Sequence, residues 1–378
     1  MSQIRLDAYV YRRLFEIVHP ALERIASTAP NAKYGPTDLY HVAIAQCNKN
    51  DTVAPTVRMM RRRFSGVMTN QRFLQLLGAI PDDEMLELCL DMIEASAQVV
   101  IDVGRLSGEV TMAVDEILVP RFDELGKDHP DLKGGKKKNG TNFFEGYMTA
   151  QIVSGKKRPT LAVYPIANGE SQTHFLGGII ENVRSAGAAI RALLLDRGFN
   201  SVANMLEMML QNVPFIMPMR GNEKIYQIMR EVDKGTGEAV REYTMTGKDG
   251  RTATFTLVVC RKKKAGKKGR IRDKYIAFAT NIVVKSAKNL LRYIPNMYRD
   301  RWGIETGFRS LKDVRAKTKS PRTAARLFLM IFSLVFVNFW VLFKIWSDET
   351  RFRAELCTVL SDYADILWLY VEGRYKPI

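Results

Sequence analysis

Residues 327–343 read LFLMIFSLVFVNFWVLF, and no other stretch of this chain restricts the fold as strongly. A helix of that composition has no polar side, so lipid or protein must surround it. The run is near the lower limit for a bilayer span, and Arg326 and Lys344 flank it. A lone transmembrane helix is therefore one reading. Asn338 inside the run and the lack of a second apolar span favour the other, a central helix buried in a large core. The expectation is a helix packed against a sheet and no membrane partner.

Charge narrows the partner. The 378 residues carry 57 Lys and Arg against 40 Asp and Glu, a formal net charge of +17. Such an excess favours a polyanion through phosphate contacts and counterion release, although an acidic membrane surface would suit it too. The basic residues cluster. Residues 133–138 read KGGKKK, and residues 261–274 read RKKKAGKKGRIRDK, including Lys262, Lys263 and Lys264. Arg58, Arg61, Arg62 and Arg63 crowd one short segment. These are candidate DNA contacts, although a solvated loop tip would also carry such a run. Aromatic residues do not interleave with the basic runs, so stacking platforms for single strands are not indicated. The four cysteines are scattered without a CxxC pair, which argues against a zinc finger and fits a reducing cytoplasm. The first residues, MSQIRLDAYVYRR, lack the apolar stretch of a secretory signal.

Periodicity divides the chain. Residues 1–104 read as successive helices near 6–28, 38–48, 53–64, 70–78 and 83–102. Thr37 and Thr69 are candidate N-caps, and the arginine-bearing helix sits as in a helix-turn-helix. Residues 105–219 read as strands near 109–119, 143–153, 159–167, 190–195 and 213–218, with helices near 172–186 and 200–211. That pattern predicts an α/β (α+β) fold, a mixed sheet flanked by helices. Residues 220–285 carry a KDG turn between Thr- and Val-rich runs and read as a β-rich insertion interrupting the sheet. Residues 286–347 return to the sheet domain with helices, and 348–378 form a helical tail containing Trp368.

Chemistry concentrates in YRDRWGIETGFRSLK. Arg301, Glu305 and Lys312 follow Tyr298 at offsets of three, seven and fourteen residues. On one helix these fall within an arc of roughly 60°, with Arg309 beside them. A phenol, a guanidinium, a carboxylate and an ammonium make a poor core face and a good one for phosphate and a metal ion. A solvated face of i,i+4 pairs would look similar. Asp115 lies in the apolar strand run EVTMAVDEILVP, and Asp196 ends the run AIRALLLD. A strand acid is costly unless paired or bound to a cation. Asp196 alone would read as a turn cap, and Asp115 alone as half of an ion pair. Three convergent carboxylates instead supply hard oxygen ligands for two Mg²⁺ or Mn²⁺ ions.

These residues resemble the DDE transposases of prokaryotic insertion sequences, in the group with the Y-x2-R-x3-E-x6-K signature. Tyr298, Arg301, Glu305 and Lys312 match it in type and spacing, LLLDRGF resembles the second acidic block and AVDEILVP the first. The resemblance spans about residues 105–345. It implies an RNase H-like catalytic domain with Asp115, Asp196 and Glu305 as the catalytic and metal-binding triad. It further implies that Arg301 and Lys312, with Tyr298 and Arg309, hold end phosphates. Double-stranded DNA with terminal inverted repeats, a target duplex, a homodimer on DNA ends and a cytoplasmic, nucleoid-associated location follow from it. Many relatives have Asp-x-Thr in the first block, where this chain has Asp115-Glu116-Ile117, so Glu116 is an alternative ligand. A metal-dependent nuclease without strand transfer and a non-catalytic DNA-binding descendant remain the other readings.

Overall fold

A computed structural model describes residues 3–26, 32–104, 108–122, 132–138, 140–155, 158–263, 266, 269–283, 286–347 and 353–366. Helices α1 (Gln3–Ile25), α2 (Pro36–Lys49), α3 (Val53–Arg63), α4 (Asn70–Leu77) and α5 (Asp82–Gly104) come first. Thr69 caps α4 as expected, its hydroxyl accepting from the Arg72 N–H at 3.1 Å. Thr37 does not cap α2. Gly35 takes that place, because Pro36 presets the first helical φ and the Asp38 carboxylate accepts the Gly35 N–H at 2.9 Å.

The sheet follows: β1 (Glu109–Arg121), β2 (Lys133–Lys138), β3 (Thr141–Ile152) and β4 (Thr160–Ile166), then α6 (Gln172–Ser185) and β5 (Ala189–Leu195). Next come α7 (Val202–Leu210), β6 (Phe215–Pro218), α8 (Glu223–Lys234), β7 (Val240–Thr246) and β8 (Thr252–Arg261). The order ends with α9 (Ile271–Lys274), β9 (Tyr275–Thr280), α10 (Ala287–Tyr298), α11 (Trp302–Lys312), α12 (Thr323–Ser347) and α13 (Arg353–Ile366). Trp368 and residues 348–352 lie outside the described residues.

The strands form one mixed sheet in the order β2-β3-β1-β5-β6-β9-β8-β7, with β4 also on β3. β1 runs parallel to β5 and β5 parallel to β6, while β3 and β4 are antiparallel. The fold is thus mixed α/β and RNase H-like. The KDG turn does close a hairpin, β7 on β8, with Gly250 at φ 79°. Its placement differs from a separate insertion. β9 pairs antiparallel with β6, so β7–β9 extend the same sheet. Some elements were not read from the sequence, β2 and α8 among them. β2 is built of Lys and Gly, poor strand formers, and exists through its pairing with Phe143 and Phe144 of β3. α8 had a legible signal: Asn222 caps it, and Gly235 ends it at φ 73°.

Side chains alternate across β1. Met112 and Val114 pack with α6 and α7, whereas Ala113 faces Leu290 and Ile294 of α10 and Ile304 of α11. Asp115 shares the second face, by the two-residue period of a strand. A further cluster joins the N-terminal helices to α12. α12 is one helix among the described residues long and apolar enough to cross a membrane, and it is mostly buried within the fold. Asn338 explains how that burial is made specific. It is fully buried, accepts from the Thr160 N–H at 2.8 Å, and donates to the Thr160 carbonyl at 2.8 Å and to Ser96 Oγ at 2.9 Å. The helix is thereby pinned to β4 and α5 at once. Asn338→Leu should cost on the order of 3 kcal/mol, because the Thr160 backbone groups stay buried without partners. The urea midpoint should fall accordingly; an unchanged midpoint would show that this triple contact holds nothing.

Candidate active site

Parallel pairing of β1 with β5 runs to Val114 opposite Leu195. Asp115 and Asp196 are the next residues, so the register alone sets them side by side. The Asp196 carboxylate accepts the Gly198 N–H at 2.6 Å, which starts a 3-10 turn over Arg197–Phe199. The strand-end acid therefore caps its turn as well as bordering Asp115.

The third acid arrives on α11. Sequence spacing predicts one continuous helix through Tyr298 and Lys312, and here the structure differs. α10 ends at Tyr298, a 3-10 turn covers Arg299–Arg301, and α11 begins at Trp302. Three residues per turn place Tyr298 and Arg301 on the same side of that turn, so the group stays together despite the break. The Arg301 guanidinium lies 5.9 Å from the Tyr298 ring centroid. It also bridges two acids: Nη2 donates to Glu305 Oε1 at 2.8 Å and Nη1 to Asp115 Oδ2 at 3.4 Å. Its side chain is only 13% exposed, so in the DNA-free fold the guanidinium is held in a partly buried ion pair with these carboxylates. Adjacent carboxylates repel, and Arg301 offsets that repulsion.

Two glycines let α11 come this close. A Cβ on Gly307 would lie 2.2 Å from Gln151 Oε1, and one on Gly303 would lie 3.0 Å from the Val153 Cβ. Both flank Glu305 and face β3 or its end. The pair Gly303 and Gly307 on one helix face, with Glu305 on the opposite side, was present in the sequence and is readable only once the packing partner is known.

The acids are under electrostatic stress. Burial pushes the Asp115 carboxyl up to about 6; Asp196 and Glu305 add to this, against the Glu116 N–H and Arg301. Burial likewise pushes Tyr298 up to about 12, so its phenol is a proton donor near neutrality. An acid held above its unfolded value of about 3.9 binds its proton more tightly when folded. Its contribution to stability is therefore largest at low pH and is lost as pH rises from about 4 through about 6. Asp115→Asn, melted in EDTA, should be more stable than the parent at pH 8, with the gap closing near pH 4. An equal gap at both pH values would show that Asp115 is not the strained group.

Glu116 points away and pairs with Lys133 Nζ at 2.7 Å. Lys312 and Arg309 are exposed on α11 and make no ion pair with the acids among the described residues. Arg58, Arg61, Arg62 and Arg63 are exposed on α3, and Arg63 pairs with Asp365 of α13 at 2.6 Å. Lys262 and Lys263 are exposed, and Lys264 lies outside the described residues. Among the described residues, no three His, Cys, Asp or Glu side chains are arranged to hold a metal ion as they stand. The donor chemistry nonetheless suits one: hard carboxylate oxygens, one of them raised towards protonation, with Arg301 as the local positive charge.

Residues 107–340 match the family described as Transposase DDE domain, and that span contains Asp115, Asp196 and Glu305. In three dimensions the chain is similar to a piggyBac transposase, solved as a synaptic complex with hairpin DNA. The TM-score is 0.60 at 11% identity, over 98% of this chain and 80% of that one. The Drosophila P element transposase, solved as a strand transfer complex, aligns over 95% of this chain and 88% of its own at 10% identity, with a TM-score of 0.29. No curated protein matches the sequence.

Proposed function

This chain belongs to the transposase DDE-domain family, and on that premise we propose that it cuts the ends of an insertion sequence and joins them to target DNA. The observation that carries the reading is that Asp115 and Asp196 end the parallel pairing of two interior strands side by side, while Arg301 bridges Asp115 to Glu305. Asp115, Asp196 and Glu305 would hold Mg²⁺ or Mn²⁺, two ions in all. When bound, such ions supply Lewis-acid charge that activates water and offsets negative charge on the departing 3′ oxygen.

The protein's own groups do the rest. Arg301 lies close enough to the acids to exchange a carboxylate partner for a phosphodiester oxygen, gripping it in bidentate fashion. Tyr298, protonated near neutrality, can donate to a terminal phosphate. Arg309 and Lys312, about one and two turns beyond Glu305 on α11, add positive charge along the same path. Residues 1–104 would bind the DNA ends, using Arg58 and Arg61 to Arg63, and Lys262 to Lys264 would reach the flanking duplex. The chain fits the Y-x2-R-x3-E-x6-K group of prokaryotic elements, working as a homodimer on paired inverted repeats in the cytoplasm.

Incubation of the protein with a duplex carrying the element's terminal repeat and a supercoiled target, in Mg²⁺, tests this. Joined products support the reading. Cleavage without joining would reduce the enzyme to a nuclease, and binding without either would leave a DNA-binding descendant.

A further inference from the structure

The segment between α11 and α12, residues 313–322, has no regular structure, yet it is tied down from several sides. Its Ala316 N–H donates to Ser333 Oγ at 3.0 Å, and the Lys317 N–H donates to the Asp51 carbonyl at 3.1 Å. Gln46 donates to the Lys317 carbonyl at 2.7 Å, and Arg121 to that of Pro321 at 2.9 Å. Held this way, the segment alternates as a strand does. Val314, Ala316 and Ser320 point inward and are buried. Arg315, Lys317 and Lys319, less buried than these, line a cavity of about 620 Å³ together with Ala316 and Thr318.

Arg315 is the unusual member. It is partly buried, burial pulls its pKa down, and among the described residues it has no hydrogen-bond or ion-pair partner. The described carboxylate lining the cavity, Glu145, is already shared by Arg121 and Arg326. Three cations thus face one cavity whose acid is spent on two others. Val119 lines the cavity as well, and it lies on the same face of β1 as Asp115, roughly 13 Å along the strand.

We propose that Arg315, Lys317 and Lys319 form a phosphate-binding groove that holds one strand of duplex DNA beyond the acidic site. The groove rests on the transposase reading above and names a contact that the Tyr298–Lys312 signature does not include. Alternate residues of an extended segment lie about 6.6 Å apart, which suits a row of successive backbone phosphates rather than one small anion.

The test measures affinity for a fluorescent end-containing duplex by anisotropy across a salt series, for the full chain and for Arg315→Gln, Lys317→Gln and Lys319→Gln. Lys248→Gln in the β7–β8 turn removes the same charge elsewhere. Arg315→Gln should weaken binding about tenfold or more and lower the salt slope by about one, as loss of one charge-assisted phosphate contact requires. Without DNA it should melt close to the parent temperature, because Arg315 has no hydrogen-bond or ion-pair partner among the described residues to lose. Inorganic pyrophosphate serves as the small-anion probe. Equal losses for Lys248→Gln and Arg315→Gln would overturn the groove in favour of total charge. So would pyrophosphate protection of Arg315 that duplex does not displace, or a lowered melting temperature with unchanged DNA affinity. If the parent itself binds no duplex, the transposase reading fails first; normal parental binding with an indifferent Arg315→Gln removes the groove alone.

Discussion

Asp196→Asn and Glu305→Gln are expected to reduce strand cleavage by roughly 10³-fold or more, the equivalent of about 4 kcal/mol of lost transition-state charge stabilisation. Neither change should unfold the protein. An amide oxygen at position 196 can still accept the Gly198 N–H, now at 2.6 Å, and preserve the 3-10 turn. A glutamine at 305 can still accept from Arg301. Affinity for the DNA ends should hold or rise slightly, since each variant removes a negative charge from a protein of net charge +17. Gel shifts paired with single-turnover cleavage in Mg²⁺ decide the matter. Parental cleavage by either variant would remove that acid from the mechanism.

Glu145→Ala carries the largest expected loss of stability, about 3–5 kcal/mol. Glu145 pairs with Arg121 at 3.1 Å and also with Arg326, and those two guanidinium groups are 2% and 8% exposed. Removing the carboxylate leaves two buried like charges, with Arg315 close by. Arg121 lies at the end of β1, and Arg326 also donates to the carbonyls of Thr318 at 3.3 Å and Ser320 at 3.2 Å. The cluster therefore couples sheet, connecting segment and α12. Combining Glu145→Leu with Arg121→Met should recover part of the loss, because a buried ion left alone is worse than a well-packed apolar pair. Chemical denaturation of the single and double variants checks this. A loss below about 1 kcal/mol for Glu145→Ala would place the cluster among exposed pairs that contribute little.

The pattern of residues on the chain was enough for whatever depends on near neighbours. The 327–343 run could only be a fully surrounded helix, and α12 is one. Strand periods located β1, β3, β4, β5 and β6, Thr69 marked the start of α4, and KDG marked the β7–β8 turn. The spacing of Tyr298, Arg301 and Glu305 put them on one side, although a 3-10 turn rather than a continuous helix does it. What the sequence left open depends on partners far apart in the chain. Whether β7–β9 stand apart or extend the sheet was decided by pairing of β9 with β6, some sixty residues distant, and propensity is silent about such pairings. The lysine- and glycine-rich β2 exists only because β3 offers it an edge. The spacing put Arg301 on the motif face; that it also bridges two acids depends on a carboxylate brought from β1, 186 residues away. Arg315 looked like one more basic residue in a chain full of them. Only the folded arrangement sets it beside a cavity whose described carboxylate, Glu145, is already engaged by Arg121 and Arg326. Local periodicity encodes which side of an element is apolar; the electrostatic state of a side chain is set by whatever the tertiary fold packs against it.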